Sequence, residues 1–406
     1  MASSFAWLDY SEHERRKMLD TLDLFREKDT RDELGLGTIR DAFADSLFPG
    51  TSTVQTRARY FLFVPWIYLN LERKVVAASE IVQRGRREET RLINELVEAG
   101  ERDGVIGIEA RETLQRLPSN VYWQGLGLWR IRLFPGSQEQ YHRALDRFYL
   151  RDAEQLNDDK EPVAGRRRAN WDPRLPPIPA GFPKDCSFRL TRTEAEYLRD
   201  RVTGSRPGSL LSWLTEEGVS GSFTEFPWQH PQYGSFPPQV REQLEYARTF
   251  SEVMHGAALL YNLMLAEASA NAESIKLYQR LLTAWSDTIE GRRHESLEWD
   301  EPRFWKLIKE TGALVSIPTE GFVSRWFALT RREPRAMKVS TSEEARRLIV
   351  DREQALKGNE ARLRNHRALE RWNGAAGAGQ LNYRWPKAQA ITTDILKGLK
   401  RRDSDA

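Results

Sequence analysis

A single cysteine, Cys186, stands in 406 residues, so neither a disulfide framework nor a cysteine-built zinc site is available. Histidine is scarce too. The six (13, 142, 230, 255, 294 and 366) never fall in an H-x-x-x-H or H-E-x-x-H spacing, so no metal site is expected from them. No stretch approaches the roughly 20 apolar residues of a membrane span. The opening MASSFAWLDYSEHERRKM carries charges where a secretory leader needs an apolar run, and the expectation is a cytoplasmic protein. No Gly-Lys-Ser/Thr phosphate-binding motif occurs, and no cofactor is expected. Net charge is also small, with 62 Lys+Arg against 59 Asp+Glu.

What is present is core material. Hydrophobic residues make up 40% of the chain, and 13 Trp, 12 Tyr and 17 Phe exclude a disordered polymer. The length suggests two or three domains. Apolar spacing predicts a helix over Ser11–Lys28, with Ser11 and Glu14 at capping-box distance, and a second over Thr38–Leu47. After the Pro49-Gly50 turn a longer helix, apolar on much of its circumference, is expected from Ser52 or Thr53, kinked at Pro65. Two helices are expected between 74 and 117. VYWQGLGLWRIRLF reads as a strand pair or as a helix followed by a strand, and Gln138–Tyr149 as a helix. The clearest periodicity lies in 239–270 and predicts one long amphipathic helix. Ser274–Ile289, Pro302–Glu310 and Ser342–Trp372 read as helices as well. The fold class is therefore mainly α and multi-helical, with a few short strands. Composition delimits a helical block at 1–155, a Pro-rich linker or surface loop at 156–186, a central helical block at 187–320 and a basic helical region at 321–406.

Charge is unevenly spread. From Gly321 onward 19 Lys+Arg face 10 Asp+Glu, a surplus of nine that leaves the first 320 residues at −6. Aromatic residues such as Trp326, Trp372 and Trp385 are interleaved with those cations, a composition suited either to nucleic acid or to a solvated helical face over an ordinary core. Arg364, Arg367, Arg371 and Arg384 are its candidate phosphate contacts. The two helices flanking FPGTST resemble a helix-turn-helix. There, Thr51 and Ser52 would lie at a helix N-terminus, with Gln55, Arg57 and Arg59 placed to meet DNA. Capping and salt bridges are the structural alternative. Gly374, Gly377 and Gly379 in GAAGAGQLNYRW form a candidate anion loop, or else a tight turn before a strand. No Asp/Glu spacing marks a catalytic pair, and no catalytic residue is singled out.

The segments LGLGTIRDAFADSLFPGTSTVQTRARYFLFVPWIY, LPSNVYWQGLGLW, HGAALLYNLMLAE and LERWNGAAGAGQLNYRW together resemble an uncharacterised bacterial family of proteins of about this length, classed as a domain of unknown function. That resemblance implies a setting in anti-phage defence gene clusters, beside helicases, methyltransferases and phospholipase-D-like nucleases, and no catalytic residues. More weakly, LGLG…RYFLF is similar to the LGVGKN…RYW pattern of another defence-associated, DNA-binding family, with Thr38-Ile39 replacing Lys-Asn. The leading expectation is a non-enzymatic DNA-binding or adaptor subunit of a defence complex. The alternatives are a protein–protein scaffold docking a helicase or ATPase, and a nuclease with dispersed carboxylates.

Overall fold

The structure is a computed structural model and describes residues 32–154, 169–219, 221, 223–292, 299–332 and 339–402. The expected Ser11–Lys28 helix and residues 156–168 of the expected Pro-rich linker lie outside the described residues. Fourteen α-helices are formed among them and no strand. In chain order they are α1 Gly37–Leu47, α2 Tyr60–Arg73, α3 Ile81–Glu98, α4 Pro118–Leu128, α5 Gln138–Glu154, α6 Arg192–Ser205, α7 Leu210–Glu217, α8 Pro238–Ala268, α9 Ala272–Gly291, α10 Glu301–Glu310, α11 Ile317–Arg332, α12 Glu343–Lys357, α13 His366–Leu369 and α14 Trp385–Leu399.

The chain divides into two compact units, each made of two stretches of sequence. The first takes the described residues of Met1–Phe43 together with Glu242–Tyr383. Its core is the apolar stripe of α8: Phe250, Met254, Ala257, Leu260 and Tyr261 are all at or below 1% exposure. Gly256 lets α9 come close, because a Cβ there would fall inside the Trp285 ring. The Trp285 indole donates to Glu252 O at 2.7 Å and that of Trp326 on α11 to Val253 O at 2.9 Å, so both buried N–H groups are satisfied. Side-chain caps start the helices: Asn271 for α9, Asp300 for α10 and Ser342 for α12.

The second unit comprises the described residues of Ala44–Arg241 and Arg384–Ala406. Helix α2 is buried on nearly its whole circumference and accommodates Pro65. Around it Phe61 stacks on Trp129 with ring centroids 3.8 Å apart, and Tyr60 meets Tyr122 and Phe188. Thr191 and Glu194 close a capping box at the start of α6.

Five expectations are corrected. The helix after FPGTST begins at Tyr60, not at Ser52 or Thr53, because side chains satisfy the intervening backbone. Gln55 takes the Ser52 amide, the Tyr122 hydroxyl takes those of Thr56 and Arg57, and Asp394 takes that of Ala58. The helix expected near 109–117 is only a three-residue 3-10 turn, Arg111–Thr113. VYWQGLGLWRIRLF is a helix followed by an extended segment with one isolated bridge, Arg132 to Trp171, rather than a strand pair. The helix expected over Ser342–Trp372 ends at Lys357, where Gly358 turns at φ 52°. LNYRW forms no strand: Tyr383 and Arg384 adopt left-handed φ of 54° and 65° and turn the chain into α14.

Candidate nucleic-acid interface

The residues expected to meet nucleic acid fall into three groups. The first, in the second unit, is turned inward. Thr51 is buried, and its hydroxyl donates to Phe48 O at 2.7 Å. Gln55, 1% exposed, spans the loop by accepting from the Ser52 amide and donating to Gly50 O. Arg57 grips Asp394 with two hydrogen bonds of 2.8 and 2.9 Å and lies over the Phe188 ring. Burial works against its charge, and the Asp394 carboxylate overrides that, holding the guanidinium above its usual range. Arg59, 11% exposed, bonds Glu194 at 2.7 Å and Ser187 O at 2.8 Å. Arg384 reaches Asp45 at 2.5 Å and Thr51 O at 3.0 Å. These side chains close a loop that carries no helix N-terminus, so the helix-turn-helix-like geometry expected around them is not formed.

The glycine segment belongs to the first unit. Gly374 and Gly377 take positive φ of 103° and 57°, which lets the chain fold tightly against α8 and α9. Asn262, fully buried, accepts the Ala376 amide at 2.7 Å and donates to Ala376 O at 2.8 Å. Tyr278 donates to Gly374 O, and a His255 ring nitrogen lies 3.1 Å from Ala378 O. Ala375, Ala376 and Ala378 are buried, while Gly379 stays exposed. Much of the loop's polar backbone is therefore committed to the packing.

The third group, Arg364, Arg367 and Arg371, remains at the surface of the first unit. Its loop is held from beneath. The Glu353 carboxylate, fully buried, accepts the Arg362 and Leu363 amides at 2.9 and 3.0 Å together with the Tyr261 hydroxyl and Lys357. Glu33 pairs with Lys357 and with Arg362. The Asn365 side chain then caps Arg367 and Ala368. The Arg364 side chain, 57% exposed, is 3.9 Å from Asp351; Arg371, 67% exposed, meets Glu360. Arg367 is exposed and has no ion pair among the described residues. A rigid backbone thus presents three guanidinium groups to solvent.

Other arrangements lie apart from these. In the first unit an open groove is lined by Pro302, Trp305, Lys306, Lys309, Glu310 and Glu320, while Leu314 in the loop after α10 and Ile317 at the start of α11 are 92% and 83% exposed. In the second unit Glu89 is fully buried and accepts the Ser119 amide and hydroxyl at 2.8 and 2.7 Å. Apolar loop exposure and a buried carboxylate leave no mark in sequence spacing, and neither was expected from it. Among the described residues no group of three His, Cys, Asp or Glu is placed to hold a metal, and no helix is long and apolar enough to cross a membrane.

No curated protein and no solved structure matches the chain. A family model does, over residues 2–397, and by that match the chain belongs to DUF6361, a family of unknown function.

Proposed function

We propose that the protein is a non-catalytic, DNA-binding adaptor subunit of a bacterial anti-phage defence complex, held to its polyanion mainly through phosphate contacts. One observation carries the reading: Arg364, Arg367 and Arg371 stand exposed on a loop whose backbone is pinned by the buried Glu353. A pinned loop loses little conformational freedom on binding. The carboxylates beside Arg364 and Arg371 are themselves about two-thirds exposed. Such surface pairs contribute only about 0–1 kcal/mol, so phosphate oxygens can replace them. The contact surface is narrower than the sequence suggests, since Thr51, Gln55, Arg57, Arg59 and Arg384 are engaged within the second unit. The defence setting rests on the family resemblance alone. Charge reversal at Arg364, Arg367 and Arg371 tests the reading: duplex affinity, followed by fluorescence anisotropy, should fall about tenfold or more. Unchanged affinity in the triple variant would remove these residues from the interface.

A protein scaffold is the second reading, favoured by the exposure of Leu314 and Ile317 and by the open groove at Trp305. On that reading a partner stays bound after nuclease treatment, and Leu314→Asp with Ile317→Asp releases it.

A further inference from the structure

Several arginines of the second unit, among them Arg57, Arg59, Arg201 and Arg384, are spent on carboxylates, and one cluster of cations is largely without them. Helix α14 ends on the start of α6. A Cβ on Gly398 would lie 2.6 Å from Ala195 Cβ and 3.0 Å from Leu190 Cβ, so the two helices touch at that glycine. The Arg401 guanidinium donates to Leu190 O at 2.7 Å and fixes the junction. The chain segments joined there carry six cationic residues: Arg189, Arg192, Lys397, Lys400, Arg401 and Arg402. All are exposed except Arg401, which is half-buried.

Two acids of the same elements are turned inward, and Asp200 of α6 pairs with Arg199. Asp394 on α14 is taken by Arg57 and Glu194 on α6 by Arg59, both carboxylates being less than a tenth exposed. Glu101 accepts the Phe188 amide at 2.8 Å, and Glu196 pairs with Arg192. Arg189, Lys397 and Arg402 have no carboxylate partner among the described residues. At the start of α6 the capping box already takes the Thr191 and Glu194 amides. Side chains carry the positive field here.

We propose that this junction of α6 and α14 is a nucleic-acid docking surface that grips the phosphate backbone, with Arg189, Lys397 and Arg402 as its main contacts. The inference rests on the reading of the protein as a nucleic-acid binder and adds a second contact surface to it. The kind of partner follows from what surrounds the cations. No large exposed hydrophobic residue lies in 184–205 or 384–402. Protein interfaces need a desolvated core of aromatic or aliphatic side chains, whereas nucleic-acid interfaces are polar, wet and strongly cationic. Arg forks suit phosphate oxygens, and flexible Lys stems follow a backbone without reading sequence. Recognition by this surface is therefore insensitive to base sequence.

The test uses the full chain and a labelled duplex in anisotropy titrations at two salt concentrations. Three variants are compared with wild type: R189E/K397E/R402E at the junction, R364E/R367E/R371E on the pinned loop, and R87E/R102E/R116E as a control for net charge. Thermal melts confirm that each folds. The junction variant should lose about tenfold or more in affinity, and its plot of log affinity against log salt should flatten by about 2–3, the loss of three phosphate contacts. The control should stay within about twofold of wild type. A junction variant that binds like wild type overturns the proposal, and the loop variant's failure alongside it would leave the general reading standing. Equal losses in junction and control variants also overturn it, as does binding to anionic lipid vesicles with none to duplex. Absence of wild-type binding to duplex at low salt would end both readings.

Discussion

Glu89, fully buried, sits in a network with the buried Tyr68 and Ser119 and the half-buried Gln138. Burial pushes its carboxyl up to about 7; the Ser119 hydroxyl and amide, the Tyr68 hydroxyl and the Arg86 charge pull in the opposite direction without cancelling it. A raised folded-state value means that the protonated carboxyl suits the fold. Its contribution is complete below the unfolded value of 4.5 and is lost as pH rises through about 7, some 3 kcal/mol in all. His142, stacked on Tyr68 and lowered by burial to about 4, acts in the opposite sense between about 4 and 6.5. The comparison that isolates Glu89 is therefore wild type against Glu89→Gln. The melting temperature of wild type should fall relative to the variant between about pH 5 and pH 8. Parallel curves would show that Glu89 does not titrate in this window. At this scale the sequence shows which residues are charged but not where their partners lie: Arg57 and Arg384 pair with acids 337 and 339 positions away. A cation counted as available in sequence can thus be wholly occupied in the fold.

The elements record the same contest between local and distant partners. Apolar spacing identified α8 and α9 because their stripes repeat over many residues, and local periodicity decided those helices. It failed at 52–59, where side chains distant in sequence capture the backbone, and at 358–365, where a carboxylate nine and ten positions back does so. Asp394 and Tyr122 hold the first stretch, and Glu353 holds the second. No local window of sequence contains both members of the first set of pairs, which lie 66 and 336 positions apart. Asn262 on α8 has the corresponding role for the glycine segment, and Asn262→Ala would strand the Ala376 amide and carbonyl. That change should cost about 2–4 kcal/mol, read as a lowered denaturant midpoint with unchanged slope. A loss under about 0.5 kcal/mol, the range of ordinary surface changes, would mean that the segment is not held there. Gly256→Ala, which drives a methyl into the Trp285 ring, should cost about 1–3 kcal/mol through overpacking of α8 on α9. A variant as stable as wild type would show that this close approach is relaxed in solution.

Across the whole molecule, composition delimits only contiguous blocks, and a unit assembled from two distant stretches leaves no compositional mark. The basic surplus after Gly321 was legible, yet its residues are distributed over both units. Arg364, Arg367 and Arg371 stand on the pinned loop of the first, and Lys397, Arg401 and Arg402 join Arg189 in the second. The junction cluster escaped the sequence reading because two of its six cations lie about 200 positions before the rest. Both surfaces present arginine without a deeply buried counter-charge, and together they support a binder whose affinity is set by phosphate contacts rather than by base identity. The most direct measurement of that claim is the affinity of the wild-type full chain for a labelled duplex at about 50 and about 200 mM salt. The account predicts tight binding at the lower salt and a loss of about a thousandfold at the higher, equal for duplexes of unrelated sequence. No binding at low salt, or an affinity that salt leaves unchanged, would contradict it.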